Sequence, residues 1–326
     1  MTAIQVTRFL HSRVLMIIMA VAMVSVAVLT NGAIPAINNV VDHGVLFAST
    51  TQWISVDSIS KWVNIGMIMV IALLMMALNR RYNLLRATTL LDTSLFLLMY
   101  MSMPWLLCRF NAGTLLCLSL LICLLLLYST YQTPVKRERI FLIFFILSAL
   151  TMTQYCYAVY IPVFIIGTMQ MRIFSFKTLA AIIMGIISPW FVVLGCDIVP
   201  FEAKHGPEPI KALATFNLAE NLDLVISVLV SAVVLIAGWC LNFPRMIAYN
   251  AHIRAYNGTM SVLALVTVIA LCVDITNIAA YAPVLYFCAA FFMGRMFAAS
   301  VTPRSYIPIT SIILIYIALL VWTLMP

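Results

Sequence analysis

Charge is what this chain has least of. Charged residues make up 9% of its 326 positions, while 65% are hydrophobic. Soluble globular proteins carry about 25% charged and roughly 45–50% apolar residues, so the polar surface needed to coat a water-soluble particle is missing. Disorder is excluded by the same numbers, because it requires low hydrophobicity and high charge. Glycine is sparse too, with 11 residues spread along the sequence and no glycine-rich phosphate loop. Neither HExxH nor GxSxG occurs, which removes the common zinc-hydrolase and nucleophile-elbow signatures. The eight cysteines form no CxxC pair and none has zinc-finger spacing beside a histidine. Five of them (Cys117, Cys123, Cys240, Cys272, Cys288) fall in apolar runs as small fillers. Cys108, Cys156 and Cys196 lie near segment ends, where a disulfide is the alternative. The expectation is no metal site and no cofactor.

What is present is a succession of long apolar runs. A helix crosses the ~30 Å hydrocarbon core with about 20 apolar residues, and eleven segments fit that need. They cover 14–33, 61–79, 89–108, 112–131, a pair within 139–174 broken near 154–158, 178–196, 222–241, 258–273, 278–296 and 306–325. The breaks at Gln154-Tyr155-Cys156 and Asp274-Ile275-Thr276-Asn277 read as tight hairpins. One helix across either break would run ~52 Å at 1.5 Å per residue, too long for an ordinary crossing. The first run follows Arg8 and Arg13, as in a signal peptide. It exceeds the ~7–15 apolar residues of a cleavable signal, so a retained anchor is expected.

With the N-terminus inside, fourteen of the eighteen Lys and Arg residues fall on the inner side. Lys61, Arg109, Lys204 and Lys211 are the four on the outer side. Acids distribute oppositely, with eight of ten outside and only Asp92 and Glu138 towards the inside. The formal charge of +8 therefore reads as a positive-inside orientation signal and not as a nucleic-acid footprint. The fold class that follows is all-α: one polytopic transmembrane bundle over 1–326 with about eleven helices, N-terminus in and C-terminus out, in a cell inner membrane. The longest stretches outside the membrane are outer loops at 34–60 and 197–221. In the second, residues 210–218 are expected to form a short interfacial helix.

Ionisable residues within the bilayer are the default functional pointers, because each costs a few kcal/mol unless paired or hydrated. Asp92, in Leu-Leu-Asp-Thr-Ser, is expected to pair with Arg86 near the inner face. Gln154, Gln170, Asn277 and Thr310 are placed for interhelical hydrogen bonds. The outer side collects the other candidates: Asp42 beside His43 and then Asp57 as catalytic acids or bases, and Arg109 as a phosphate ligand. Each also has a plainer reading, as solvated loop residues or as a headgroup anchor. The sequon at Asn257 falls on the inner side and carries no meaning there. The four histidines divide between the sides, His11 and His252 inside, His43 and His205 outside.

Two resemblances follow from the pattern. Leu78-Asn-Arg-Arg-Tyr-Asn-Leu-Leu-Arg86, Met103-Pro-Trp105, Gly185-Ile-Ile-Ser-Pro189 and Ala282-Pro-Val-Leu-Tyr286 with Gly294-Arg295 resemble an uncharacterised multipass family of Bacteroidetes. Members have been labelled carotene monooxygenases, an activity that takes four histidines on one iron. The divided histidines here contradict that label. The order of elements is also similar to C-type membrane glycosyltransferases, which use lipid-phosphate sugars: an outer loop, a basic inner loop, then an outer turn with Pro104 and Arg109. That resemblance implies an acceptor-activating acid at Asp42 or Asp57, although the first loop is short and lacks a paired acidic motif.

Three functions are thus in view. One is a non-catalytic or accessory protein of cell-envelope or surface-glycan assembly. Another is a transferase using a lipid-linked sugar at the outer leaflet, and the last a transporter or lipid flippase. Membrane lipids are the partners common to all.

Overall fold

The computed structural model describes residues 12–30, 46–47, 50, 53–54, 56–85, 90–132, 137–197, 222–247, 249–298 and 306–324. Among the described residues every regular element is helical. In chain order the α-helices are α1 (Arg13–Leu29), α2 (Asp57–Tyr82), α3 (Leu91–Met101), α4 (Pro104–Cys108), α5 (Ala112–Tyr128) and α6 (Arg137–Thr151). They continue with α7 (Ile161–Gln170), α8 (Phe176–Gly195), α9 (Leu222–Ile247), α10 (Ala251–Val273), α11 (Ile278–Ala298) and α12 (Tyr306–Leu324). Short 3₁₀ turns at Tyr155–Tyr160 and Ile275–Asn277 lead into α7 and α11.

Five stretches are long and apolar enough to cross a membrane: α2, α8, Leu222–Pro244 of α9, α10, and Ile275–Phe297. The chain is thus an all-α protein with membrane-crossing capacity. The expected third segment is not one helix but two, α3 and α4. Pro104 disfavours the helical region for the residue before it, and Met103 leaves the helix at φ −121°, ψ 80°. Asp57 opens α2, where the positive end of the helix macrodipole favours an acid. Arg80 and Arg81 close the same helix, where cations are favoured, and Asn83 ends it in the left-handed conformation.

The Ile275–Phe297 stretch is the axle of the bundle, with 94% of its apolar window buried. Helices α3, α5, α9 and α10 pack around it. Close approach is made by residues without side-chain bulk. A Cβ on Gly113 of α5 would lie 2.5 Å from the Ala279 carbonyl oxygen and 2.8 Å from the Pro283 ring. A Cβ on Gly294 would lie 2.7 Å from Asp92 Cβ on α3. Pro283 has no N–H for the Ala279 carbonyl, which is the carbonyl Gly113 approaches. By contrast α8 packs chiefly on α6, and only 22% of its window is buried.

Candidate functional site

The two expected hairpin breaks meet. Asp274, at the end of α10, is the hub. Its carboxylate accepts from Thr276 Oγ1 at 2.8 Å, Asn277 Nδ2 at 2.9 Å, Tyr155 OH at 3.2 Å and Tyr281 OH at 3.3 Å. Asn277 also donates to Tyr155 OH, and Gln154 Nε2 donates to Asn277 Oδ1 at 3.2 Å. Tyr157 OH then ties the same turn to Ala112 O of α5 at 3.0 Å. The local reason is spacing: Tyr155 stands one residue after the break at Gln154, so the 3₁₀ turn presents its hydroxyl towards the facing connection. Tyr155 lies in the connection, outside the spans, and its hydroxyl is pushed up to about 12 by burial and then by the negative charge of Asp274. The carboxylate is saturated with donors and the phenol is a poor proton donor at neutral pH. Locking two chain reversals together is the chemistry this arrangement performs.

A second network closes the neighbouring part of the bundle. Asn64 of α2 donates to the carbonyls of Leu106 at 2.7 Å and Leu107 at 3.1 Å. Thr114 donates to Asn64 Oδ1 at 2.8 Å, and Tyr100 OH shares a 2.6 Å hydrogen bond with Thr114 Oγ1. The recipients in α4 are carbonyls of a five-residue helix, which has few intrahelical partners for them. Lys61, only 6% exposed, donates to Ala27 O at 3.1 Å and so reaches the last turn of α1. Cations are favoured at that end of a helix. Sequence reasoning passed over Asn64, Thr114 and Tyr100. Their legible signal was an asparagine three residues beyond Lys61 inside an otherwise apolar run.

The candidates read from sequence fall in different places. Asp57 and Arg109 are both exposed. They share one rim, because Phe110 N donates to Ser60 Oγ at 2.9 Å and brings the α4–α5 turn against the first turn of α2. Asp42 and His43 lie outside the described residues, as do Arg86 and the expected interfacial helix at 210–218. Asp92 is 2% exposed in the first turn of α3, and among the described residues its Oδ1 has no hydrogen-bond partner. Its expected pairing with Arg86 therefore also lies outside the described residues. Of the interhelical bonds expected, Gln154 pairs with Asn277, and Gln170 Oε1 accepts from Thr259 at 2.9 Å. None of the eight cysteines, all of them described, is joined in a disulfide. No group of three or more His, Cys, Asp or Glu able to hold a metal occurs among the described residues.

Fold and polar clusters together define the class: an all-α bundle of apolar, membrane-capable helices held by interhelical hydrogen bonds. No protein-family model, curated protein or solved structure matches the chain.

Proposed function

We propose that this chain is a multipass protein of the inner membrane with a non-catalytic or accessory role in envelope or surface-glycan assembly. The observation that carries this reading over a transporter is the aromatic packing of the interior among the described residues. Around α11 the fully buried side chains include Tyr100, Tyr128, Tyr160, Tyr281, Tyr286, Phe96, Phe164, Phe287 and Phe291. A transporter binds its substrate near the midplane between discontinuous helices, and an aromatic-packed axle leaves that place occupied by protein. The envelope assignment rests on the order of elements shared with C-type glycosyltransferases.

The proposed topology has eleven crossings, N-terminus in and C-terminus out. The twelve α-helices of the described residues are compatible with it when α3 and α4 are taken as one crossing, five stretches among them being long and apolar enough to cross alone. Contacts between distant ends support it. Trp322 donates to Asp223 at 2.8 Å and Tyr155 to Asp274, each joining two ends assigned outside. Tyr131 meets the His252 ring at 6.3 Å, and Gln132 N donates to Met171 O, joining ends assigned inside. A periplasm-dependent reporter fused after Pro326 is expected to be active. A cytoplasm-dependent reporter active there would overturn the count.

The transferase reading keeps one supporting observation, the common rim of Asp57 and Arg109. It predicts that Asp57→Asn abolishes glycan transfer in membranes carrying the protein, at normal protein level. The accessory reading predicts that transfer survives this substitution and falls only when the protein is absent.

A further inference from the structure

Helices α1 and α2 both pack on α3 and α4, and the outward face of α1, with Met69 of α2 at its side, forms an open lateral groove of about 530 Å³. Its walls are Ala20, Val21, Val24, Val28 and Leu29 of α1 with Met69 of α2. Ser25 also faces it, but its hydroxyl donates back to Val21 O at 2.9 Å and leaves the wall effectively apolar. From Ala20 to Leu29 the helix rises about 14 Å at 1.5 Å per residue. That is close to half of the ~30 Å hydrocarbon core, the depth of one leaflet.

One end of this groove is positively charged. Thr30, just past α1, meets Cys108 Sγ at 3.3 Å, while Phe110 N bonds to Ser60 at the start of α2. Arg109 is the residue between those two contacts, so it stands where α1 and α2 converge. It is exposed, and among the described residues no side chain takes its guanidinium. Lys61 places a second cation at the same end, fixed on Ala27 O. Asp57, exposed one turn before Lys61, is the acid of this rim. An apolar trough one leaflet deep beneath an open guanidinium matches an acyl chain below a phosphate, which guanidinium binds bidentately.

We propose that the α1–α2 groove is a binding site for one anionic glycerophospholipid, an acyl chain lying along α1 and the phosphate held by Arg109. The proposal rests on the membrane-spanning reading of α1 and α2. A second copy of the chain filling the trough is the alternative occupant, read out below as a dimer.

The test is native mass spectrometry of the full chain, delipidated in detergent and titrated with phosphatidylglycerol, diacylglycerol of the same chains, or glycerol phosphate. One equivalent of phosphatidylglycerol is expected to remain bound, with the other two probes at least about tenfold weaker, the scale of one charge-assisted hydrogen bond. Arg109→Gln, at an exposed position, should weaken phosphatidylglycerol by about that factor and leave diacylglycerol unchanged. Val21→Trp, also exposed, should weaken both lipids by filling the trough. Equal retention by wild type and either variant overturns the proposal, as does a dimer in place of the lipid adduct. Glycerol phosphate binding as tightly as the lipid would make this an anion site and not a lipid site. Membrane fractionation of the same protein separates the outcomes: a chain that does not sediment with membranes fails the spanning reading itself.

Discussion

Helices α8 and α11 are alike in sequence and opposite in place. Each is about twenty residues of apolar side chains with a proline inside. Yet 22% of the α8 window is buried against 94% for the stretch that includes α11. Hydropathy does not separate them, and the less apolar of the two is the one at the centre. In water an apolar face seeks the core, but lipid tails are as apolar as leucine and supply no such bias. What places a helix inside such a bundle is backbone approach and hydrogen bonding. Helix α11 is met by Gly113 and Gly238, carries Gly294 against Asp92, shares a hydrogen bond between Tyr286 OH and Ser227 Oγ, and receives one at Phe292 O from Asn242. Helix α8 has one such seam. A Cβ on Gly185 would lie 2.7 Å from Phe141 O, and Ser148 donates to Ile186 O at 2.6 Å, both on α6.

Truncating the same residue type in each helix gives the largest contrast. Phe287→Ala in α11 should cost about 3–5 kcal/mol, the range for a phenylalanine in a packed core. Phe191→Ala in α8, where the ring is 75% exposed, should stay within about 0.5 kcal/mol. Reversible unfolding in mixed micelles measures both, and equal losses would dissolve the distinction between axle and rim. Glycine gives the next contrast. Gly113→Ala drives a methyl against the Ala279 carbonyl and the Pro283 ring, neither of which can yield cheaply, and should cost about 1–3 kcal/mol. Gly66→Ala adds a methyl with nothing within 4 Å and should be neutral or stabilising by up to about 1 kcal/mol, the difference in helix propensity. A destabilised Gly66→Ala would place a neighbour where open space now stands.

The helical segments were legible because each depends on local composition. Apolar runs, the polar breaks at Gln154 and Asp274, and the proline at 104 all act within a few residues. Pro104 was misjudged, since the expected third segment ran through it, although a proline demands a boundary at the preceding residue. Neighbour relations were not legible. That Tyr155 would bond to Asp274, 119 residues away, depends on which helices share a seam. A uniformly apolar surface carries no periodic mark of that. Asn64 was overlooked for the same reason. Its partners, the carbonyls of Leu106 and Leu107, are acceptors because the helix ends at Cys108, and which neighbour meets that end is not written in the apolar run.

The smallest effect tests whether the Asp274 hub is a lock or merely a contact. Tyr155 has its hydroxyl raised to about 12 by burial and by the Asp274 charge, against an ordinary value near 10. A phenol whose folded value lies above its unfolded value adds stability that is whole below about pH 10. That stability disappears as pH rises through about 12, because the folded state resists losing a proton that the unfolded chain gives up. Tyr155→Phe should therefore show a shallower loss of stability between those limits than wild type, and the difference in tyrosinate absorbance between the two proteins should titrate late. Asp274→Asn keeps the shape and removes the charge, so the Tyr155 signal should move back towards 10 while staying above it, since burial is the larger cause. If the signal stays where it is, the carboxylate is not what holds Tyr155. The two reversals would then be joined through Asn277 and Tyr157 instead, and the hub would be a consequence of their meeting and not its cause.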